Sequence, residues 1–296
     1  MDSLKHLQPS VHQYLEMSNE ERIDWIKQPR WIGYPRAQQI LRKLEDLLKH
    51  PKQERMPSML VVGRSNNGKT RLIKHFAQKH LPDENVGGES IKAPVLFCEA
   101  PSKPSDSALY TTILNSLYER VPSSSSDAKK SRTVEVLKNI GLKVLIIDEM
   151  HNVLAGSSVK QTQFLNAIKS LSNELSISIV GCGTGDLIRA VSIDEQIQNR
   201  FTPEILPLWK YDKSYRQLLM SFESLLPLKV ASGLHNPELA KKIHAFSEGT
   251  IGETSKLLND AAIYAIETGE EYITSEIINN CGYTPPSDRA RLALKV

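Results

Sequence analysis

Apolar runs and helical periodicities alternate through the middle of this chain. Residues 59–62 (Met59, Leu60, Val61, Val62) form a short apolar run that stops at Gly63. Beyond a glycine-bearing turn, Leu72, Ile73, Phe76 and Ala77 recur at helical spacing. Residues 94–98 read as a second strand, and 107–120 as a helix with Leu109, Ile113, Leu114 and Leu117 on one face. Val121-Pro122 and the four serines 123–126 signal a loop. Val134, Leu137 and Ile140 mark another short helix, followed by an unbroken aliphatic strand at 144–147. A run without polar alternation fits a strand buried on both faces, as in a parallel sheet. Phe164, Leu165, Ile168 and Leu171 give a further helix, 177–181 a fourth strand and 205–208 a fifth.

This alternation implies βαβ units: an α/β fold with a parallel five-stranded sheet covered by helices on both faces. From Tyr211 onward only helical patterns follow, at 218–225, 237–246, 252–268 and 274–280. Two helical stretches joined around Pro29-Arg30-Trp31-Ile32-Gly33-Tyr34 precede the first strand. The expected organisation is therefore an N-terminal helical segment (1–55), a nucleotide-binding core (56–208) and a smaller C-terminal helical lid (209–296).

Composition narrows the picture without redirecting it. With 296 residues, 40% of them hydrophobic and 24% charged, the chain can build a sizeable core. A net charge of +3 permits a nucleic-acid partner and does not demand one. Cys98, Cys182 and Cys281 are far apart and form no CxxC pair, so buried reduced thiols are expected rather than a zinc knuckle or a disulfide framework. The N-terminus has no apolar leader, and no run approaches the roughly 18 residues of a membrane span. A cytoplasmic protein without membrane contact is the expectation.

Two segments carry chemistry. Gly63-Arg64-Ser65-Asn66-Asn67-Gly68-Lys69-Thr70 fits GxxxxGK[ST] at every defined position, after an apolar strand and before an amphipathic helix. The glycines let backbone N–H groups converge on phosphate oxygens, and the helix N-terminus adds positive potential. Lys69 would contact the β- and γ-phosphates of ATP, and the Thr70 hydroxyl would bind Mg²⁺; the expected nucleotide site extends to Arg71 and Asp148. Val144-Leu145-Ile146-Ile147-Asp148-Glu149 delivers Asp148 to the sheet's carboxyl edge to hold the metal, with Glu149 next to it as general base. Asp148-Glu149-Met150-His151 also resembles a helicase DExH box, but the chain after Leu208 cannot build the second lobe such an enzyme needs. Thr184, at the tip of the fourth strand, either reports the γ-phosphate or caps the next helix. Arg200 closes a helical stretch just before the fifth strand, where it either stabilises transition-state charge in a neighbour's site or is an ordinary salt-bridged residue. Arg189 is the fallback.

The order of strand–GxxxxGKT–helix, aliphatic-DE, GxGT and RF elements resembles AAA+ P-loop ATPases, and more closely the TniB/TnsC group of transposition ATPases. The nearer resemblance is carried by Trp31-Ile32-Gly33-Tyr34-Pro35-Arg36-Ala37, Ser65-Asn66-Asn67-Gly68-Lys69-Thr70, Asp148-Glu149-Met150-His151-Asn152 and Asp194-Glu195-Gln196-Ile197-Gln198-Asn199-Arg200-Phe201. It implies a homo-oligomer, often a filament, that coats double-stranded DNA without reading its sequence. Such an assembly selects target sites, and passes them to a DDE transposase and a TniQ-family adaptor. ATP hydrolysis then clears it. One departure stands out: where many AAA+ proteins carry a sensor 2 arginine, Gly252-Glu253-Thr254-Ser255-Lys256 offers none at the expected place, so slow hydrolysis is expected.

By the same resemblance, DNA contacts fall on the loop after the second strand, with Lys103, and on 123–132, with Lys129, Lys130 and Arg132. A DNA-independent AAA+ signalling or remodelling ATPase and a DnaC/IstB-like helicase loader are the competing readings.

Overall fold

The computed structural model describes residues 4–88, 91–192 and 195–294. By compactness the chain divides into Pro35–Pro207 and a second unit made of Met1–Tyr34 with Leu208–Val296. A 3-10 helix (Pro9–Glu16) opens the second unit, and helix α1 (Asn19–Lys27) follows under a full capping box, Ser18 with Glu21. The first unit then begins at α2 (Pro35–Lys49) and continues through β1 (Ser58–Gly63), α3 (Lys69–Gln78), β2 (Val95–Glu99), α4 (Asp106–Ser116), α5 (Ser126–Asn139) and β3 (Val144–Asp148). A short 3-10 helix (Met150–Ala155), α6 (Ser158–Leu175), β4 (Ser178–Gly183), α7 (Asp186–Val191), α8 (Glu195–Gln198) and β5 (Phe201–Leu206) complete it. Helices α9 (Lys213–Glu223), α10 (Pro237–Ser247), α11 (Ile251–Thr268), α12 (Ser275–Asn280) and α13 (Pro286–Ala293) return to the second unit.

The five strands are all parallel, in the order β2-β3-β4-β1-β5. β1, β3 and β4 are buried at every position, as their aliphatic runs require. β5 starts at Phe201, four residues before the expected 205. As an edge strand it needs only one buried face, so Thr202 and Pro203 interrupt its apolar signal without breaking it. Its buried Glu204 is paired with Arg36 and Lys43 of α2.

The segment 123–132, expected to be a loop, is mostly helix. Ser125 caps α5 by accepting from the Ala128 N–H, and Asp127 favours the first turn, so the serine run ends in a helix start. In the second unit, α9, α10, α11 and α12 bury an apolar cluster that includes Ile26 of α1. Arg22, only 1% exposed, donates to the Pro227 carbonyl and pairs with Glu271. Among the described residues no helix is long and apolar enough to cross a membrane. Cys98 and Cys182 are buried free thiols, and Cys281 is a partly exposed one.

Candidate nucleotide site

The site stands at the carboxyl edge of the sheet, where β1, β3 and β4 end. After β1 the chain turns through Asn66 (φ 58°) and Gly68 (φ 84°), both left-handed, and the second of these serves as N-cap of α3. Glycine adopts that conformation without the steric cost a side chain would add. Asn67 fixes the turn from within: its amide nitrogen donates to the carbonyls of Leu206 (2.9 Å) and Pro207 (3.0 Å) at the end of β5. Lys69 is 6% exposed, and its ammonium donates to the Arg64 carbonyl at 2.8 Å, across the loop.

The two predicted segments meet. The Thr70 hydroxyl donates to Asp148 Oδ2 at 2.7 Å, although the residues are far apart in sequence. Asp148 is 3% exposed and also accepts from the Glu149 backbone N–H at 2.9 Å. Beside it on β4, the Cys182 thiol titrates well above its usual value because it is buried and faces Asp148, so it stays neutral. Nothing in the sequence marked Cys182 as a neighbour of the acid; only the register of β3 and β4 brings it there.

Glu149 leaves β3 at φ 51°, a left-handed backbone for a residue with a Cβ, costing about 1 kcal/mol and turning the chain sharply after the strand. Its carboxylate lies 3.2 Å from His151 Nδ1. The capping alternative for Thr184 is not realised: Gly185 is the N-cap of α7, and Thr184 Oγ1 is buried with no hydrogen-bond partner. Arg64, Ser65 and Arg71 lie in or directly after the turn as expected, at its surface.

A hydroxyl and a carboxylate in contact are hard oxygen ligands of the kind Mg²⁺ takes, and Thr70 with Asp148 fits that ion. Among the described residues no group of three or more His, Cys, Asp or Glu side chains could cage a metal, so phosphate oxygens and water would complete the shell.

Arg200 is not part of this edge. It precedes Phe201, which pairs with Ser58 at the start of β1, and the Ser58 N–H donates to the Arg200 carbonyl at 3.0 Å. The phosphate loop begins after Gly63, at the far end of β1, about 16 Å away at ~3.3 Å per residue. The Arg200 guanidinium donates to Asn173 Oδ1 at 2.6 Å, on the wall of an open basin of about 710 Å³ that Lys52, Arg55 and Lys169 also line. Arg189, on α7, is ion-paired with Asp186. Asp194, within the stretch that carries the resemblance around Arg200, lies outside the described residues.

Of the two loops expected to carry the DNA residues, only the first is a loop. Lys103 follows β2 outside any helix or strand, whereas Lys129, Lys130 and Arg132 ride on α5. Each of these three α5 cations has a partner in its own chain: Lys129 with Ser107 Oγ (2.9 Å), Lys130 with Glu174 (3.4 Å), and Arg132 with Glu119 and Glu135.

A parallel sheet in this strand order, with a phosphate loop after β1 and an acid pair after β3, is the core of an AAA+ P-loop ATPase. Solved structures agree on the fold. CDC6P from Pyrobaculum aerophilum superposes with a TM-score of 0.61 at 17% identity, covering 87% of this chain and 70% of that one. The Aeropyrum pernix ORC2 protein, in its ADPNP-ADP complexes, gives 0.59 at 15% over the same shares. The Aeropyrum pernix ORC1 protein in complex with DNA gives 0.58 at 15%, covering 92% of this chain and 69% of that one. No curated protein matches the sequence significantly. The profile of the bacterial TniB protein family matches residues 22–211, well over half of the chain, and the chain belongs to that family.

Proposed function

We propose that this protein binds and slowly hydrolyses Mg-ATP, and that in its ATP-bound form it assembles with other copies on double-stranded DNA to regulate transposition. The observation that carries the ATPase reading is the 2.7 Å contact between Thr70 and Asp148, with Glu149 one residue further on. In this reading Lys69 and the loop amides take the phosphates, and Thr70 with Asp148 holds the metal, which neutralises phosphate charge when bound. Glu149 accepts the proton of the water that attacks the γ-phosphorus, releasing ADP and phosphate. In this reading Thr184 senses the γ-phosphate, which its buried, unpartnered hydroxyl supports. The transposition role rests on membership of the TniB family. It comprises nonspecific DNA coating, target-site selection, and recruitment of a DDE transposase and a TniQ-type adaptor. ADPNP, ADP and DNA in the similar folds support the nucleotide and DNA parts.

The test is ATP turnover by the full chain with and without double-stranded DNA, for wild type and Glu149→Gln. Stimulation by DNA, with turnover in Glu149→Gln lowered about 10²-fold or more at unchanged ATP affinity, is the expected result. Wild-type turnover in the variant would remove Glu149 as the base. One observation favours a second reading, a DNA-independent remodelling ATPase: the α5 cations already have partners in their own chain. Turnover indifferent to DNA would select it.

A further inference from the structure

The histidine of the Asp148-Glu149-Met150-His151 tetrad has no place in the mechanism so far, yet it occupies a built position. Its Nδ1 is buried and lies 3.2 Å from Glu149 Oε2, near but out of line for a hydrogen bond, and it has no other hydrogen-bond partner. The seat is made by β4. A Cβ on Gly183 would come within 3.0 Å of His151 Nδ1 and 3.3 Å of the His151 backbone nitrogen. A side chain at this position would push the imidazole or its backbone aside by a few tenths of an ångström. Directly after β4 comes Thr184, whose buried hydroxyl is also unpartnered. A buried polar atom without a partner costs about 1–3 kcal/mol, so an unpartnered Nδ1 beside the Glu149 carboxylate calls for a reason.

We propose that His151 is a positioning residue for Glu149: seated against Gly183, it restrains the carboxylate through Nδ1 and so sets where the base meets the attacking water. The geometry of Glu149 makes such a restraint useful. Its left-handed backbone and a half-exposed side chain leave the carboxylate few other anchors. A base must lie within hydrogen-bond reach of the proton it takes, and misplacement by about 1 Å can cost ~10²-fold. In the tautomer protonated at Nδ1, a small rotation brings the N–H into line with Oε2. Because Thr184 follows directly on the seat at the end of β4, a shift at the tip of this strand reaches the base through the imidazole.

The proposal rests on Glu149 being the base, and the experiment separates the two. ATP turnover and KM are measured on the full chain with Mg²⁺ and double-stranded DNA for His151→Ala, His151→Asn, Glu149→Gln and the double variant His151→Ala/Glu149→Gln. His151→Ala should lower kcat about 10- to 100-fold with KM for ATP unchanged, because binding is untouched and only the base is misplaced. His151→Asn keeps an amide N–H where Nδ1 stood and should recover most of the loss. With the base already removed, His151→Ala should cost nothing further, since residues acting as a unit are not additive. Wild-type or faster turnover in His151→Ala, an Asn variant as poor as Ala, or an equal cost in both backgrounds would each overturn the proposal. Should His151→Ala lose ATP binding by misfolding, His151→Asn decides alone: near-wild-type kcat supports the role, and turnover as low as Glu149→Gln ends it. Full turnover in Glu149→Gln refutes instead the base that the proposal presupposes.

Discussion

The two edges of the same sheet are built on opposite plans. At the carboxyl edge the polar groups close on one another: Thr70 on Asp148, Asn67 on the end of β5, Lys69 on its own loop. At the amino edge Arg200, Lys52, Arg55 and Lys169 stand around an open, polar basin, with Glu54 the acid among its lining residues. One edge brings together Thr70, Asp148 and Glu149 beside the phosphate loop. The other holds the arginine and no phosphate loop. Strands are stiff, and Arg200 is tied to the start of β5 by the ladder with β1, so motion within one chain does not bring the edges together. We therefore propose that Arg200 serves the site of another copy, the amino edge of one against the carboxyl edge of the next.

The largest effect tests that reading directly. Arg200→Ala should lower turnover about 10³-fold or more, the range of arginine fingers, while leaving ATP affinity intact. Mixing Arg200→Ala with Lys69→Ala subunits should restore activity, because some interfaces then pair an intact phosphate loop with an intact Arg200. Titrating the two variants against each other measures it. Absence of recovery at every ratio, with co-assembly shown by sizing, would break the comparison and pass the role to Arg189, which leaves the carboxyl edge on α7.

A smaller effect sharpens the contrast from the other side. Lys69→Ala removes the cation that faces the phosphates and should weaken ATP binding by about 10- to 100-fold, the weight of one or two charge-assisted hydrogen bonds. Arg200→Ala should leave binding to the isolated subunit unchanged. A calorimetric titration of both variants distinguishes them. Equal affinity of Lys69→Ala and wild type would dismiss the phosphate loop as the nucleotide site.

The carboxyl edge was legible in the sequence because its signals are local. An apolar run, a turn bearing two glycines and a helix spell out the loop, and an aliphatic run ending in two acids spells out β3 with Asp148 and Glu149. That the two would meet followed from parallel topology. What stayed hidden depends on register or on distant partners. Cys182 reaches Asp148 only through the alignment of β4 with β3, and Asn67 finds carbonyls at the end of β5. β5 itself was placed late because an edge strand needs no continuous apolar run. Arg22 is buried by a partner about 250 positions away, a pairing no local window contains. The start of α5 was available and overlooked: Ser125 followed by Asp127 is a cap with an acidic first turn, but four serines in a row read more readily as a loop.

The smallest effect concerns Lys103, in the chain after β2, and the cations of α5. Lys129, Lys130 and Arg132 are engaged, but surface contacts of this kind contribute only about 0–1 kcal/mol, so phosphates can replace Glu174 or Ser107 as partners at little cost. Single contacts of that strength are weak, and only stacked copies that present them together along the backbone hold DNA firmly. DNA binding should therefore require ATP or a nonhydrolysable analogue. Replacing Lys103, Lys129 and Lys130 with alanine should weaken binding by a similar factor on every sequence and flatten the salt dependence by about one unit of slope per lost phosphate contact. Measuring affinity at several salt concentrations, with and without nucleotide, yields two independent answers. Equal binding without nucleotide would refute assembly-dependent DNA contact altogether. An unchanged triple variant that still needs nucleotide would refute only these residues, and Lys52, Arg55 and Lys169 on the amino edge would be the next to replace.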